Sequence, residues 1–294
     1  MERSVYIFGM GPVGCSLAVS LESAGVEVAG ACDIDEDRAA RAVSRTGLAV
    51  DRAFDPRAAG RAGIVIASVG DSGIEPLARE AAQAGGCSPR QVWLHCSGAL
   101  AADALSPLEG LVEGFGAFHP AMVFPPGSCR PVPAGTRFAL DGDGSARAVA
   151  NSLVEAIGGV PVEIPTEARV AYHAAMVFAS NYVVVLLDRA RGLLVDRGVD
   201  PAQAEAVVCS LASSAVDAAM ERGIGSSLSG PVSRGDAPAV ESHLGALGGD
   251  LDMSRLYAIL AREAVGVATG VDGPNREGLQ KILSLLDGFD RSGK

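Results

Sequence analysis

The chain has 294 residues, of which 48% are hydrophobic, so it is long enough for one large domain or two modest domains with a sizeable core. Its 24 basic and 35 acidic side chains give a net charge of −11 without any basic cluster, which argues against a nucleic-acid partner. The six cysteines are scattered and form no Cys-x-x-Cys pair, and the apolar runs are short or interrupted, so we expect a cytoplasmic protein with reduced thiols and no membrane partner.

The first half of the chain alternates short apolar runs with helical periodicity. The apolar runs predict strands over 5–8, 26–32, 64–69, 91–96, 114–118, 138–140 and 160–164. Helical patterns lie between them, over 12–24, 35–45, 73–84, 100–108 and 145–157. This alternation predicts an α/β domain in which helices cover both faces of a doubly wound sheet with parallel strands at its centre.

The second part of the chain shows helical patterns only. They cover 167–197, 201–222, 236–247, 253–269 and 275–288. The change from alternating strand and helix patterns to helical patterns alone places a domain boundary near residue 165. The sequence therefore predicts an α/β domain over 1–165, followed by an all-helical domain over 166–294.

A glycine-rich turn follows the first predicted strand and opens the first helix. It reads Gly9-Met10-Gly11-Pro12-Val13-Gly14. In this context Gly9 permits a tight turn, Gly11 lets the backbone approach a pyrophosphate and Gly14 allows close packing of helix on sheet. Free N–H groups at the helix N-terminus favour phosphate binding. We therefore expect NAD(P) here; the alternative is a glycine turn that binds no ligand.

The choice between the two dinucleotides depends on the end of the second strand. Asp33 lies where an acidic residue would accept hydrogen bonds from the adenosine ribose, and it would repel a 2′-phosphate. No arginine is adjacent to it and Ile34 follows, which favours NAD over NADP. The alternative is that Asp33 caps the next helix. Val69 ends another strand, at the edge that lies over the cofactor's ribose in such folds.

The four histidines are His95, His119, His173 and His243. The first two end predicted strands, on the side where open α/β sheets bind ligands. Between them, the turn at Ser97 and Gly98 offers a hydroxyl and N–H groups to a substrate carboxylate or carbonyl. Each histidine could instead be neutral and buried. Their spacing provides no pair of metal ligands, so we predict no metal site.

Two further segments place polar residues where a ligand could lie. Arg169, His173 and Asn181 interrupt an apolar helical stretch, where they either satisfy each other or face a ligand. In the loop GPVSRGD, Arg234 either clamps an anionic substrate or pairs with Asp236, which could also cap the following helix.

The motifs GMGPVG, HCSGAL, FHPAMVF, YHAAMVFASNY, GPVSRGD and HLGAL, in this order, resemble a bacterial family that joins a Rossmann-like domain to a helical domain of formerly unknown function. That family is similar to the 6-phosphogluconate dehydrogenase-like superfamily, whose members include β-hydroxyacid dehydrogenases, ketopantoate reductases and pyrroline-carboxylate reductases. The resemblance implies a Rossmann domain over 1–165, a helical substrate and dimerisation domain over 166–294, and a homodimer.

The resemblance also implies roles for the long helix. In the hydroxyacid branch this helix carries a catalytic lysine and, four residues on, an asparagine; the matching positions here are Arg169 and His173. Arginine stays protonated, so Arg169 would stabilise charge rather than give up a proton. His173 is the better proton donor. Asn181 would hydrogen-bond the substrate or the carboxamide, or else satisfy a neighbouring helix.

The expected function is therefore that of an NAD(P)-dependent oxidoreductase. Hydride would pass between nicotinamide and a small ketone-bearing carboxylate, as in ketopantoate reductases. The expected substrate-binding residues are Ser97, Gly98, His119, Arg234, Asp236 and His243. Three alternatives remain: an imine reductase acting on a cyclic or open-chain imino acid, a catalytically silent NAD(H)-binding sensor or scaffold, and a reductase that uses a deazaflavin.

Overall fold

The computed structural model describes residues 3–270 and 275–292, and within them it forms an eight-stranded sheet. The strands are β1 (Val5–Phe8), β2 (Val28–Cys32), β3 (Val50–Asp51), β4 (Ile64–Ala67), β5 (Val92–His95), β6 (Gly114–Pro120), β7 (Arg137–Gly142) and β8 (Val160–Glu163). Their spatial order is β3-β2-β1-β4-β5-β6-β7-β8. Neighbours pair in parallel except β6 and β7, which are antiparallel. The strand order reverses between β1 and β4, the place where open α/β sheets bind ligands.

Helices connect these strands. They are α1 (Pro12–Ser23), α2 (Glu36–Thr46), α3 (Pro56–Arg61), α4 (Asp71–Ala84), a 3₁₀ segment (Ala102–Leu108) and α5 (Gly144–Ala156). After β8 come a 3₁₀ turn (Thr166–Ala168) and α6 (Arg169–Ala179). Side-chain caps define two of the starts: Asp35 accepts from the N–H of Arg38 at α2, and Asp143 accepts from that of Ala146 at α5.

Both faces of the sheet are buried. In β1, Val5 and Ile7 belong to one apolar layer, whereas Tyr6 and Phe8 belong to the other. This is why the central strands read as continuous apolar runs rather than as alternating patterns.

The helical part contains α7 (Asn181–Val195), α8 (Pro201–Arg222), α9 (Ile224–Ser227), α10 (Pro231–Arg234), α11 (Ala237–Leu247), α12 (Leu251–Thr269) and α13 (Arg276–Ser292). Its core forms where α11, α12 and α13 meet, around Val240, Val265, Ile282 and Leu286. The predicted fold class, a Rossmann-like α/β domain followed by an all-helical one, is confirmed.

The long helix predicted over 167–197 is wrong in one respect, because it is interrupted. Ser180 leaves the helical region with φ −130° and ψ −71°, so α6 ends at Ala179 and α7 begins at Asn181. The Ser180 hydroxyl bonds the carbonyl of Met176 and the side-chain oxygen of Asn181, which replaces helical hydrogen bonds at the break. The sequence prediction also missed β3, α3, α9 and α10, which are too short to show a period.

The compact units of the structure do not coincide with the predicted domains 1–165 and 166–294, which remain a prediction. The chain divides into two compact units, Met1–Asn181 and Tyr182–Lys294. The first unit extends past 165 because α6 is tied to the sheet: Arg169 pairs with Asp141 of β7, and Tyr172 bonds His119 of β6. These two polar contacts join elements that are distant in sequence, so no local sequence pattern predicts them.

The expectation that all thiols are reduced is wrong for one pair. Cys15 in α1 and Cys129 in the loop between β6 and β7 form a disulfide. Cys32, Cys87, Cys96 and Cys209 are free. The two bonded cysteines are 114 residues apart, and their proximity depends on the loop folding back over α1. The N–H of Val132 donates to Ser20 of the same helix, which fixes the loop at a second point.

One segment is more apolar than the expectation about apolar runs implies. Thr166–Val195 is long and apolar enough to cross a membrane, and its most apolar window is not buried among the described residues. The core helix of a soluble protein and a signal sequence pass the same test of length and composition. The break at Ser180 divides this segment into α6 and α7, and the test places no membrane there.

Candidate active site

The glycine turn has the geometry that a dinucleotide requires. Gly9 has φ +87°, and a Cβ there would lie 2.7 Å from the carbonyl oxygen of Ser68, so only glycine fits. A Cβ on Gly14 would collide with the carbonyl of Gly9. Because glycine has no Cβ, α1 can pack this closely against the turn that follows β1. Gly11 faces open space, with nothing within 4 Å of a Cβ built on it. A pyrophosphate can therefore approach the backbone at Gly11 and the free N–H groups of α1.

A cavity of about 720 Å³ adjoins this turn, at the carboxyl ends of β1, β2 and β4. Its volume is in the range of small-molecule and cofactor sites. Among the residues that line it are Gly9, Gly11, Pro12, Asp33, Ile34, Arg38, Arg52, Ser68 and Val69. Met10 is buried, and Val13 packs against the apolar core, so these two residues support the turn from behind.

Asp33 braces the glycine turn. Its carboxylate accepts the N–H of Met10 at 2.7 Å and the N–H of Asp35 at 2.9 Å. Asp35 caps α2, so the alternative role of Asp33 as the cap does not apply. The premise that no arginine is adjacent to Asp33 is wrong, because α2 brings Arg38 back over the strand end and its Nε lies 3.2 Å from Oδ2.

The turn after β5 is built by His95 and Ser97. His95 is fully buried, its Nδ1 accepts the N–H of Ser97 at 3.2 Å, and its Nε2 donates to the carbonyl of Ala101 at 3.0 Å. Burial lowers the pKa of His95. The hydroxyl of Ser97 accepts the N–H groups of Ala99 and Leu100. Both side chains therefore shape the turn that presents Gly98.

Two imidazoles converge over Gly98. A Cβ on Gly98 would lie 2.9 Å from Nε2 of His119 and 3.1 Å from Nδ1 of His173. His119 comes from β6 and His173 from α6, so two elements distant in sequence bring ring nitrogens to the same residue. A side chain at position 98 would collide with both rings, so only glycine lets them lie this close to the turn.

His119 and His173 have different surroundings. The Nδ1 of His119 lies 2.8 Å from the hydroxyl of Tyr172, and the two rings meet edge to face. Burial, aided by Arg169 and His173, lowers the pKa of His119 to about 4, so His119 is neutral at pH 7. The Nδ1 of His173 is buried and has no hydrogen-bond partner among the described residues.

Arg169 lies in the interior beneath these groups, 1% exposed. Its Nε is 3.7 Å from Oδ2 of Asp141, and its Cζ is 5.9 Å from the centre of the Tyr172 ring. Within the described part of the chain, its Nε and Nη1 have no hydrogen-bond partner. Asp141 also accepts hydrogen bonds from the N–H of Ala102 and the hydroxyl of Thr166. Its carboxylate therefore connects both of these residues to Arg169.

The remaining candidate residues are placed as follows. Asn181 is exposed at the start of α7 and accepts a hydrogen bond from Ser180, so it does not continue the α6 face that carries His173. In the second unit, Arg234 is exposed at the end of α10, and Asp236 caps α11. The Nδ1 of His243, also exposed, lies 2.8 Å from the hydroxyl of Tyr257.

Sequence reasoning missed Tyr172 and Asp141. Tyr172 carries a usable signal, because it lies three residues after Arg169 and therefore on the same face of α6. Asp141 carries none, since its partners come from segments 25 to 39 residues away.

Two family models match the chain. A Rossmann-like domain matches residues 2–119, and a domain of unknown function, DUF2520, matches residues 136–264. No curated protein matches it.

Solved structures share the fold. A provisionally assigned NADP oxidoreductase from Bacteroides fragilis has a TM-score of 0.71 at 21% identity, covering 90% of this chain and 98% of its own. A protein from Thermotoga maritima has the same TM-score and coverage at 24% identity. A pyrroline carboxylate reductase from Plasmodium falciparum, solved with NADP bound, has a TM-score of 0.59 at 13% identity, covering 95% and 98%. At these identities the likeness is one of fold.

Proposed function

We propose that this chain, which joins a Rossmann-like domain to a DUF2520 domain, is an NAD(P)-dependent oxidoreductase that acts on a small ketone-bearing carboxylate. The observation that carries the proposal is the convergence of His119 and His173 over Gly98. It lies at the carboxyl end of the sheet, the same end as the glycine turn. An oxidoreductase of this kind needs a turn that binds the cofactor and side chains that can donate or accept a proton, and both lie at this edge of the sheet.

The glycine turn fits a nicotinamide dinucleotide. The open space at Gly11 and the N–H groups that begin α1 would hold the pyrophosphate, while Asp33 and Val69 would contact its riboses. When bound, the dinucleotide would supply or accept the hydride.

The protein's own groups would then bind the substrate and move the proton. The unpartnered Nδ1 of His173 is available to give or take a proton at the substrate oxygen. His119 and the turn at Ser97 and Gly98 would hold the carbonyl or carboxylate. The buried charge of Arg169 opposes protonation of His119 and favours negative charge developing nearby.

The remaining candidate residues lie away from His119, His173 and Gly98. The exposed guanidinium of Arg234 is the kind of group that binds a carboxylate bidentately, and His243 is exposed on the same unit. We retain Asn181 as a donor, since Ser180 occupies its side-chain oxygen and not its nitrogen. Asp236 is left out of the substrate site because its carboxylate caps α11.

We further propose that NADH is preferred over NADPH, although by a smaller margin than Asp33 alone would give. The Asp33 carboxylate favours ribose hydroxyls and disfavours a 2′-phosphate. Arg38 neutralises part of that charge and lines the same cavity, which reduces the discrimination.

A homodimer completes the proposal. Helix α8 spans 22 residues, and among them only Ala204 is buried in the described chain. Its exposed apolar side chains include Val207, Leu211, Val216 and Met220. A second copy of the chain would cover this face and exclude water from it.

Two experiments test the proposed function, first cofactor binding and then turnover. NADH and NADPH are titrated separately, with energy transfer from Trp93 in β5 as the signal and calorimetry as the check. A panel of 2-oxo carboxylates and of cyclic and open-chain imino acids then follows with the cofactor that binds. Oxidation of the cofactor by a 2-oxo carboxylate supports the proposal, and turnover of imines alone would make the protein an imine reductase. Binding without turnover would make it a sensor or scaffold, and no binding would make the glycine turn structural.

A further inference from the structure

We propose that Tyr172 is a positioning residue that holds His119 in the neutral tautomer protonated at Nε2, so that His119 offers an N–H donor to the substrate beside His173. This inference rests on the proposed function for its catalytic meaning, whereas the tautomer itself is a property of the free protein. It separates the roles of two histidines whose ring nitrogens lie against the same glycine.

The contact that sets the tautomer is the 2.8 Å hydrogen bond between the hydroxyl of Tyr172 and Nδ1 of His119. A phenol can donate or accept, and the imidazole takes the complementary role. When Tyr172 donates, Nδ1 is the acceptor and the proton of the neutral ring must be on Nε2.

The surroundings decide the direction of this hydrogen bond. Burial raises the pKa of Tyr172, although the guanidinium of Arg169, 5.9 Å from the centre of its ring, acts in the opposite direction, so the hydroxyl keeps its proton. An imidazole nitrogen is a stronger base than a phenol oxygen, and it is therefore the better acceptor of the two. The O–H of Tyr172 therefore points to His119.

The other ring nitrogen of His119 lies beside His173. Nε2 of His119 and Nδ1 of His173 are both about 3 Å from the place where a Cβ of Gly98 would be, and the latter has no partner among the described residues. A proton on Nε2 of His119 would therefore be offered next to Nδ1 of His173.

Burial is the main cause of the neutral state of His119, and the charged and titratable groups around it modify that effect. Arg169 and His173 on α6 and His95 on β5 each oppose a positive charge on the ring. Asp71, at the start of α4, acts in the opposite direction but with a smaller effect than burial, Arg169 and His173. His119 therefore remains a fixed donor while His173 carries the transferable proton.

This arrangement gives the two histidines different roles towards a substrate oxygen bound beside both rings. The Nε2–H of His119 would stabilise negative charge that develops on that oxygen and would keep its own proton. His173, whose Nδ1 lies against the same glycine, would supply the proton. Asp141, Arg169 and Tyr172 form the support that fixes the donor.

The test is NMR of the full chain labelled with ¹⁵N at histidine, because four imidazoles give a readable spectrum. The variant Tyr172→Phe keeps the ring under Arg169 and removes only the hydroxyl. We expect wild-type His119 to show Nε2 protonated and Nδ1 unprotonated, and Tyr172→Phe to show a mixture of both tautomers. His119→Gln assigns the signals.

Two internal controls are available. His95 is fixed by Ser97 and Ala101, so its Nε2 stays protonated in both proteins and reports that the variant is folded. Tyr257→Phe removes the matching hydroxyl from the His243 pair and should leave the His119 signals unchanged. Protonation of wild-type His119 at Nδ1 would overturn the inference even if the variant did not fold, and so would an unchanged tautomer in a folded Tyr172→Phe protein.

The NMR result does not depend on turnover, so the two proposals fail separately. The expected tautomer without activity on any carbonyl or imine would remove the enzymatic function and keep the positioning role. Where a substrate is found, we expect Tyr172→Phe to lower kcat about tenfold with the Kd of the cofactor unchanged, since only the donor at the reacting oxygen is affected.

Discussion

The guanidinium of Arg38 bonds the carboxylate of Asp33, with Nε 3.3 Å from Oδ1 and 3.2 Å from Oδ2. The same carboxylate accepts the N–H groups of Met10 and Asp35. Asp33, which we expect to bind the ribose, therefore also stabilises the glycine turn and pairs with the Arg38 cation. Ribose hydroxyls can reach Asp33 only in competition with Arg38.

The first prediction concerns that competition. Replacing Arg38 with alanine should free Asp33 for the ribose and remove the cation that offsets repulsion of a 2′-phosphate. We expect the ratio of the NADPH Kd to the NADH Kd to rise about tenfold, equivalent to about 1.4 kcal/mol. Calorimetric titration of both cofactors measures it.

Arg79→Ala is the matched control, since Arg79 pairs with Glu75 on α4 and does not line the cavity. It should leave the ratio at its wild-type value. Tighter NADPH binding by the wild-type protein, followed by loss of that binding in Arg38→Ala, would mean that Arg38 binds the phosphate and that Asp33 does not select NADH.

The second prediction concerns the proton carrier. His173→Ala should lower kcat by about 10² to 10⁴, the usual contribution of a positioned acid or base, with cofactor affinity preserved. His173→Asn is the companion variant, because its amide can form a hydrogen bond near the Nδ1 position but cannot transfer a proton, so it should lose a similar factor in kcat. If His173→Ala turned over substrate at the wild-type rate, the proton would have to come from another group.

The third prediction is a pH dependence of stability. The pKa of His119 is about 4 in the folded protein and near 6.5 when the chain is unfolded, so the unfolded state binds more protons between these values. The stabilisation is present above pH 6.5 and is lost as the pH falls through 4. Between pH 7 and pH 5 the free energy of unfolding should drop by about 2 kcal/mol from this group.

Denaturant unfolding of wild type and His119→Gln at the two pH values measures that drop. The variant is less stable at pH 7 because it loses the hydrogen bond to Tyr172, but its own drop between pH 7 and pH 5 should be about 2 kcal/mol smaller. Equal drops in both proteins would show that His119 titrates normally and that neither burial nor Arg169 holds it neutral.

The sequence predicts the parts of this site whose contacts join residues close together in the chain. The glycine turn and the strand ends at His95 and His119 follow from local patterns, since turn, strand and helix signals all lie within a few residues. The Arg169–Asp141 pair, the His119–Tyr172 bond and the Cys15–Cys129 disulfide join residues 28 to 114 positions apart. Each depends on how the elements pack, and for that reason the sequence did not predict that two of the thiols form a disulfide.

The fourth prediction addresses the proposed dimer. Leu211 on α8 is 72% exposed, and Leu211→Glu would place a charge in the apolar face that a second copy is proposed to cover. We expect light scattering to show a dimer for wild type and a monomer for Leu211→Glu. Gln203→Glu, at the exposed start of the same helix, should remain dimeric. A monomeric wild-type protein that floats with lipid vesicles would assign the apolar helices to a membrane surface instead.

The fifth prediction concerns the disulfide. Joining Cys15 to Cys129 closes a loop of more than a hundred residues and limits the unfolded chain, so its removal should cost about 2 to 5 kcal/mol of stability. Thermal unfolding with and without a phosphine reductant measures the effect. The reductant should lower the Tm of wild type, whereas Cys129→Ser should have the low Tm in both conditions.

Cys209→Ser is the control for that experiment, since Cys209 is free and exposed in α8 and should respond to the reductant as wild type does. The loop that carries Cys129 lines a small cavity together with Met10 and Gly11 of the glycine turn. Reduction should therefore also weaken dinucleotide binding, by loosening the segment that lies against that turn. If the Tm of wild type does not respond to the reductant although both thiols become titratable, the covalent bond adds nothing to the packing of the loop on α1, and the contacts of Val132 with Ser20 and the core hold it in place.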